Sequence, residues 1–199
     1  MVLILIFYPI NNIAYMNKNG IVIREAVVED ARFVALVVCM ALHYDETHPL
    51  YEIFVELSAR DDAQYSYCNA LIAEVDGEAV GAIIGYDGAR LHELRRPLHT
   101  LICEKFGRAM DIEDETEAGE FYLDSLAVLP LYRSRGVGAL LLTAMSNKAF
   151  DEGYERVGLL VDFENPRAEA LYNSLGFLRV NTATFLGHKM WHLQKIKND

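Results

Sequence analysis

The sequence predicts a mixed α/β (α+β) fold, and three local patterns carry that reading. Apolar runs at 70–75 and 78–86 flank Asp76 and Gly77, and Asp-Gly between two such runs is a strong hairpin signal. A strand-like run at 121–128 passes through a glycine-containing turn into a helix marked by Val137, Leu140, Leu141 and Ala144. A short unbroken apolar run at 157–161 reads as a strand buried on both faces.

The remaining elements follow in order. Residues 21–24 form a short β-branched run. Phe33, Leu36, Val37 and Met40 recur at helical spacing behind Glu29 and Asp30, acids at the favoured N-terminal end. Residues 43–49 break that helix, and 50–57 read as a second short one. Residues 87–118 read as an insert, with a helix over 89–106 and then Asp111, Glu113, Asp114, Glu115 and Glu117 as a solvated acidic loop. Asn165 before Pro166 marks a helix start. Ala168, Leu171, Tyr172 and Leu175 continue one helical face, and Gly176 ends it. Strands at 177–180 and 189–193 close the chain.

The chain has 199 residues, 52% of them hydrophobic and 24% charged. That composition builds one globular domain, over 16–199, and argues against a disordered chain. A formal charge of -11 lacks the footprint of a nucleic-acid binder and suits a cationic partner. Cys39, Cys68 and Cys103 are widely spaced and fit no zinc or disulfide pattern, so they read as buried thiols of a cytoplasmic protein. No His, Cys and Asp spacing suggests a metal. In the apolar N-terminal extension 1–15, the run from Met1 to Ile10 stops at Pro9 and the pair Asn11-Asn12, well short of the roughly 20 residues of a membrane span, and lacks signal-peptide flanks. It reads as a strand packed on this chain or exchanged with a second copy in a homodimer. An alternative is a natural start at Met16.

The chemistry concentrates at Arg133, Ser134, Arg135, Gly136, Val137 and Gly138, with the helix continuing from Ala139. Glycines at a helix mouth leave successive backbone N–H groups bare, and these join the positive end of the helix dipole as an anion site. An ordinary glycine-capped helix start is the plainer reading. The turn lacks the Gly-Lys-Ser/Thr ending of a P-loop and the third glycine of a dinucleotide fingerprint.

At these residues the sequence resembles the GNAT superfamily of acyl-CoA-dependent N-acyltransferases. Arg133, Gly136 and Gly138 match its Arg/Gln-x-x-Gly-x-Gly/Ala pattern. Asn165, Ala168, Tyr172, Gly176 and Phe177 match its second pattern. The resemblance is detailed over 120–180 and leaves 1–15 and 87–118 uncovered. It implies a twisted, mostly antiparallel sheet of about six to seven strands flanked by helices, splayed at the central cofactor strand pair. It also implies an N-acetyltransferase that moves an acetyl group from acetyl-CoA to a primary amine of a small molecule or peptide. A CoA-binding module without turnover is the alternative.

By that resemblance, amides of the turn from Arg133 to Ala139 hold the pyrophosphate. Backbone groups of Leu126, Ala127 and Val128 pair with pantetheine as an added strand would, and an amide near Leu126 meets the oxyanion. Tyr172 matches the general acid, its plainer role being a core tyrosine. Asn165 contacts the cofactor amides or simply caps its helix. Glu120, Tyr122 and Asp124 alternate along one strand and share a face. The family's frequent base position falls near Tyr122, which is no carboxylate, leaving Asp124, Glu120 or no dedicated base. His43 and His48 lie where acceptor contacts gather, or on a plain polar loop.

Overall fold

A computed structural model of the chain describes residues 4–7, 13–16 and 20–197. They form nine strands: β1 (Ile4–Phe7), β2 (Ile13–Met16), β3 (Ile21–Glu25), β4 (Ala70–Val75), β5 (Glu78–Asp87), β6 (Phe121–Val128), β7 (Arg156–Asp162), β8 (Leu178–Phe185) and β9 (His188–Ile196). Five helices accompany them: α1 (Ala31–Ala41), α2 (Tyr51–Ser58), α3 (Leu91–Phe106), α4 (Val137–Asp151) and α5 (Pro166–Ser174). The chain forms two compact units, Met1–Ile84 with Ser125–Met145, and Gly85–Asp124 with Ser146–Asp199. The boundaries fall inside β5, β6 and α4.

In the first unit the strands pair in the order β1-β2-β3-β4-β5-β6. The β1–β2, β2–β3, β3–β4 and β4–β5 ladders are antiparallel. Asp76 and Gly77 close the β4–β5 hairpin with φ of 53° and 82°, a left-handed pair that matches the twist of the strands it joins. Val34, Val38, Phe54, Leu57, Ile72, Ile83, Leu141 and Leu142 are buried, as the helical and strand periodicities require. Gly81 lets two strands approach closely, since a Cβ there would meet the Ala127 carbonyl at 3.0 Å. The packing expected of residues 1–15 lies outside the described side chains.

In the second unit the order is β5-β6-β7-β9-β8. β7–β9 and β8–β9 are antiparallel, and β6–β7 is parallel. That parallel ladder runs only from Phe121↔Val157 to Leu123↔Leu159, although β6 continues to Val128 and β7 to Asp162. The matched pairing therefore covers three residues on each strand, ahead of the stretch where the family resemblance implies a splay. β3 to β9 give the seven strands of a mostly antiparallel sheet, and the β1–β2 hairpin adds two more. The cysteine reading needs correction: Cys39 is buried, but Cys68 and Cys103 are exposed. Burial, with Asp45 and Glu46 nearby, pushes the Cys39 thiol up to about 11. Among the described residues no helix is long and apolar enough to cross a membrane.

One buried carboxylate fixes the start of β6 in the second unit. Glu120 is 1% exposed. Its Oε1 accepts from Thr116 Oγ1 at 2.7 Å, and its Oε2 accepts from Gln194 Nε2 at 2.8 Å and lies 2.9 Å from His192 Nε2. A carboxylate buried without such donors is unaffordable in an apolar interior. Burial pushes the Glu120 pKa up, but the hydrogen bonds from His192, Thr116 and Gln194 outweigh it and hold the carboxyl below its ordinary value. Gly158 of β7 makes the space, since a Cβ there would stand 1.9 Å from Oε2.

Gly158→Ala is therefore expected to destabilise the chain by about 3 kcal/mol, because the trapped carboxylate cannot swing aside without breaking its bonds. A urea midpoint equal to wild type would contradict this. The lowered Glu120 pKa has a definite sign: its stabilisation is complete above the unfolded value of 4.5 and is lost as pH falls below it. Glu120→Gln is expected to flatten that acid-side loss, measured as unfolding free energy against pH for both proteins.

Candidate active site

The candidate residues fall in both units, and each unit builds its own part. In the first, β6 ends at Val128 and Leu129 turns back, its amide donating to the Val80 carbonyl at 2.8 Å. A single 3-10 turn over Pro130–Tyr132 follows. The Arg133 amide donates to the Pro130 carbonyl at 3.3 Å. The Arg133 guanidinium reaches back through Nε to the Val128 carbonyl at 3.0 Å, so the side chain ties the turn to the end of the strand. Arg135 lies over the Tyr132 ring, 5.2 Å from its centroid.

Ser134 and Gly136 have φ of 62° and 84°. These left-handed residues reverse the chain into α4, and a Cβ on Gly136 would meet nothing within 4 Å. The first intrahelical bond is from the Leu140 amide to the Gly136 carbonyl at 3.1 Å. The amides of Val137, Gly138 and Ala139 precede that bond and have no intrahelical acceptor. Three such donors at the positive end of a helix of 15 residues can bind a phosphate. Leu126, Ala127 and Val128 are partly buried, and Ser125 between them and Asp124 is buried.

In the second unit, Asn165 caps α5 through Oδ1, which accepts from the Ala168 amide at 3.1 Å. Pro166 occupies the first helical position, and Gly176 ends the helix region with φ of 91°. Tyr172 is partly buried with its ring edge-on to Phe177, centroids 6.2 Å apart. Burial raises its phenol above the ordinary 10.0. The phenol therefore stays protonated at neutral pH.

Glu120, Tyr122 and Asp124 occupy three different environments. Glu120 is enclosed as described. Tyr122 is buried against Tyr86, Leu91, Leu94 and Leu160, with its ring 5.9 Å from that of Tyr86. Asp124 is partly buried, and its Oδ2 accepts from the Tyr86 hydroxyl at 2.8 Å. That hydroxyl also lies 3.1 Å from Glu115 Oε1. Glu115 in turn forms a buried pair with Arg95.

This last group was not among the residues singled out from sequence. Most of the acidic run is exposed, but Glu115 is buried at 4%, so the solvated-loop reading fails at that residue. A signal existed. Leu91, Leu94, Leu98 and Ile102 form the buried stripe of α3, and Arg95 is buried on the same stripe. An arginine on an apolar stripe demands a buried acid. In the first unit, Tyr44 and His48 stack at 3.7 Å, and His43 takes a left-handed φ of 60°. His188 is exposed and His192 buried. No group of three or more His, Cys, Asp or Glu gathers for a metal among the described residues.

Residues 35–177 match the acetyltransferase (GNAT) family. An N-alpha-acetyltransferase of Sulfurisphaera tokodaii is 35% identical over 160 residues, which is 79% of this chain and 80% of that protein. A crystal structure of an acetyltransferase superposes with a TM-score of 0.74 at 34% identity, covering 87% of this chain and 98% of the other. An N-acetyltransferase from Staphylococcus aureus Mu50 gives 0.73 at 24% identity over 86% and 98%, a likeness of fold. The short parallel β6–β7 ladder, the glycine turn into α4 and these matches together show that the chain belongs to the GNAT family of acyl-CoA-dependent N-acetyltransferases.

Proposed function

We propose that the chain transfers the acetyl group of acetyl-CoA to the α-amino group of a peptide or protein N-terminus, by direct attack in a ternary complex. The relative of Sulfurisphaera tokodaii carries this class of acceptor, being an N-alpha-acetyltransferase at 35% identity. The reading takes 16–199 as one catalytic domain with 87–118 as its insert. The single structural observation behind cofactor binding is the row of amides from Val137 to Ala139 that α4 leaves without acceptors.

In this reading those amides, with Arg135 and Gly136, hold the pyrophosphate. Arg133 and Ser134 shape the turn. Backbone groups of Leu126, Ala127 and Val128 hydrogen-bond the pantetheine arm, and the Asn165 side chain adds a contact while capping α5. The reaction needs a neutral amine, an amide donor for the oxyanion, and a proton for the departing thiolate. Asp124 accepts the amine proton, directly or through water. Glu120 suits that task less well: it is enclosed with three hydrogen-bond partners, and a lowered pKa makes it a weaker base. Tyr172 donates to the departing thiolate, and burial keeps its phenol protonated until that step.

The test is turnover of acetyl-CoA with peptides carrying a free or a blocked α-amine, each containing one lysine. Acetylation of the free α-amine alone is expected, read by mass spectrometry. Acetylation confined to lysine or to small amines would overturn the peptide N-terminus as acceptor, and CoA binding without turnover on any amine would overturn the catalytic reading. Tyr172→Phe is expected to lower kcat about 100-fold with KM for acetyl-CoA nearly unchanged. An unaltered kcat would remove Tyr172 from the acid role.

A further inference from the structure

We infer that Tyr86, Glu115 and Arg95 form a positioning chain for Asp124, through which the 87–118 insert orients the base of acetyl transfer. The inference rests on the proposed role of Asp124. Its geometry lies within the second unit. Tyr86 near the end of β5 is 3% exposed, and its hydroxyl bridges two carboxyl groups, 2.8 Å from Asp124 Oδ2 and 3.1 Å from Glu115 Oε1. A phenol has one proton to give, so it donates to one carboxylate at a time, and the shorter approach is to Asp124.

The far side of the bridge is anchored. Glu115 Oε2 accepts from Arg95 Nη2, and both side chains are at most 3% exposed. Arg95 Nη1 donates to the carbonyls of Ile112 and Glu113 and to Asp114 Oδ1, at 3.2, 3.3 and 3.2 Å. One guanidinium from α3 thus gathers the backbone after that helix and aims Glu115 at Tyr86. Asp124, Glu115 and Tyr122 are among the groups acting on Tyr86, and Asp124 and Arg95 among those acting on Glu115. Asp114 bears on Arg95 and is itself 3.3 Å from His92.

Buried ionic chains are costly, and apolar residues of similar volume often serve stability as well or better. A chain of four polar groups that ends on a partly buried carboxylate is accounted for by orientation. Burial first, then the charges of Asp124 and Glu115, drive the Tyr86 phenol well above its ordinary range. It therefore remains a donor to Asp124. Burial and the charge of Asp124 raise the Glu115 carboxyl against the pull of Arg95, so the two carboxyl groups sense each other across the hydroxyl.

The test is the pH–rate profile of the full chain with acetyl-CoA and a peptide bearing a free α-amine. Tyr86→Phe removes a donor that stabilises a carboxylate, so kcat is expected to fall about 10-fold, KM for acetyl-CoA to hold, and the acidic limb to move to higher pH. Glu115→Gln removes a like charge at constant size, so the limb is expected to move to lower pH. A purely structural role scales the active fraction without moving the limb in opposite senses. Should Glu115→Gln fail to fold, as a melting curve shows, the limb of Tyr86→Phe decides alone. Asp124→Asn separates the two claims. Wild-type turnover in that variant would remove the base reading itself. Loss of turnover there, with kcat and limb unmoved in Tyr86→Phe and Glu115→Gln, would overturn the positioning chain and leave the base in place.

Discussion

The carboxylate of Glu120 is the constraint on which the second unit depends. It lies at the head of β6, and three donors from two distant parts of the chain converge on it: Thr116 just before the strand, and His192 and Gln194 on β9. The site is possible only because Gly158 on the neighbouring strand has no side chain. A charge buried this deeply sets position sharply, since any slip leaves it without donors at a cost of several kcal/mol. Side chains alternate along a strand, so fixing Glu120 also fixes the face of Tyr122 and Asp124.

That face changes character over four residues. At Glu120 it is closed, with three partners on the carboxylate. At Tyr122 it is aromatic, packed with Tyr86 and the leucines of α3. At Asp124 it is partly open, and the Tyr86 hydroxyl donates to one of the carboxylate oxygens. Two carboxylates of similar chemistry thus sit in different environments, and the proposed division of roles, Glu120 structural and Asp124 the base, follows that difference. The β6–β7 ladder ends at Leu123, just before the more open of the two. Strand pairing and side-chain environment therefore change at the same point on β6.

The parts of this architecture legible in the sequence are those with local causes. Asp76-Gly77 makes a left-handed turn wherever it stands between two strands. Asn165 before Pro166 starts a helix by its own hydrogen bond, and Gly136 and Gly176 take backbone angles that few other residues accept. The glycine turn and the α5 pattern were readable for the same reason, and the family resemblance rested on them. The partners in the buried polar contacts are not readable, because they are remote: 20 residues separate Arg95 from Glu115 and 72 separate His192 from Glu120. Nothing local distinguishes Glu115 from Glu113 or Glu117. Only the fold selects which acid of the run turns inward.

The same selection changes the meaning of the acidic balance. A net charge of -11 invites the idea that the 111–117 run draws in a cationic acceptor. In the structure much of that run is already engaged. Glu115 is neutralised by Arg95, Asp114 touches Arg95 and His92, and Glu113 accepts the Leu186 amide at 3.1 Å. Backbone amides on Glu113, those of Leu186 and Gly187 included, hold its carboxyl below the ordinary value. These acids hold the insert to its own unit before they attract anything. The proposed anion site needs no compensating basic field either, because amides at a helix start supply positive potential locally. Net charge thus explains neither ligand, and the recognition of both substrates has to be sought in directed donors and acceptors.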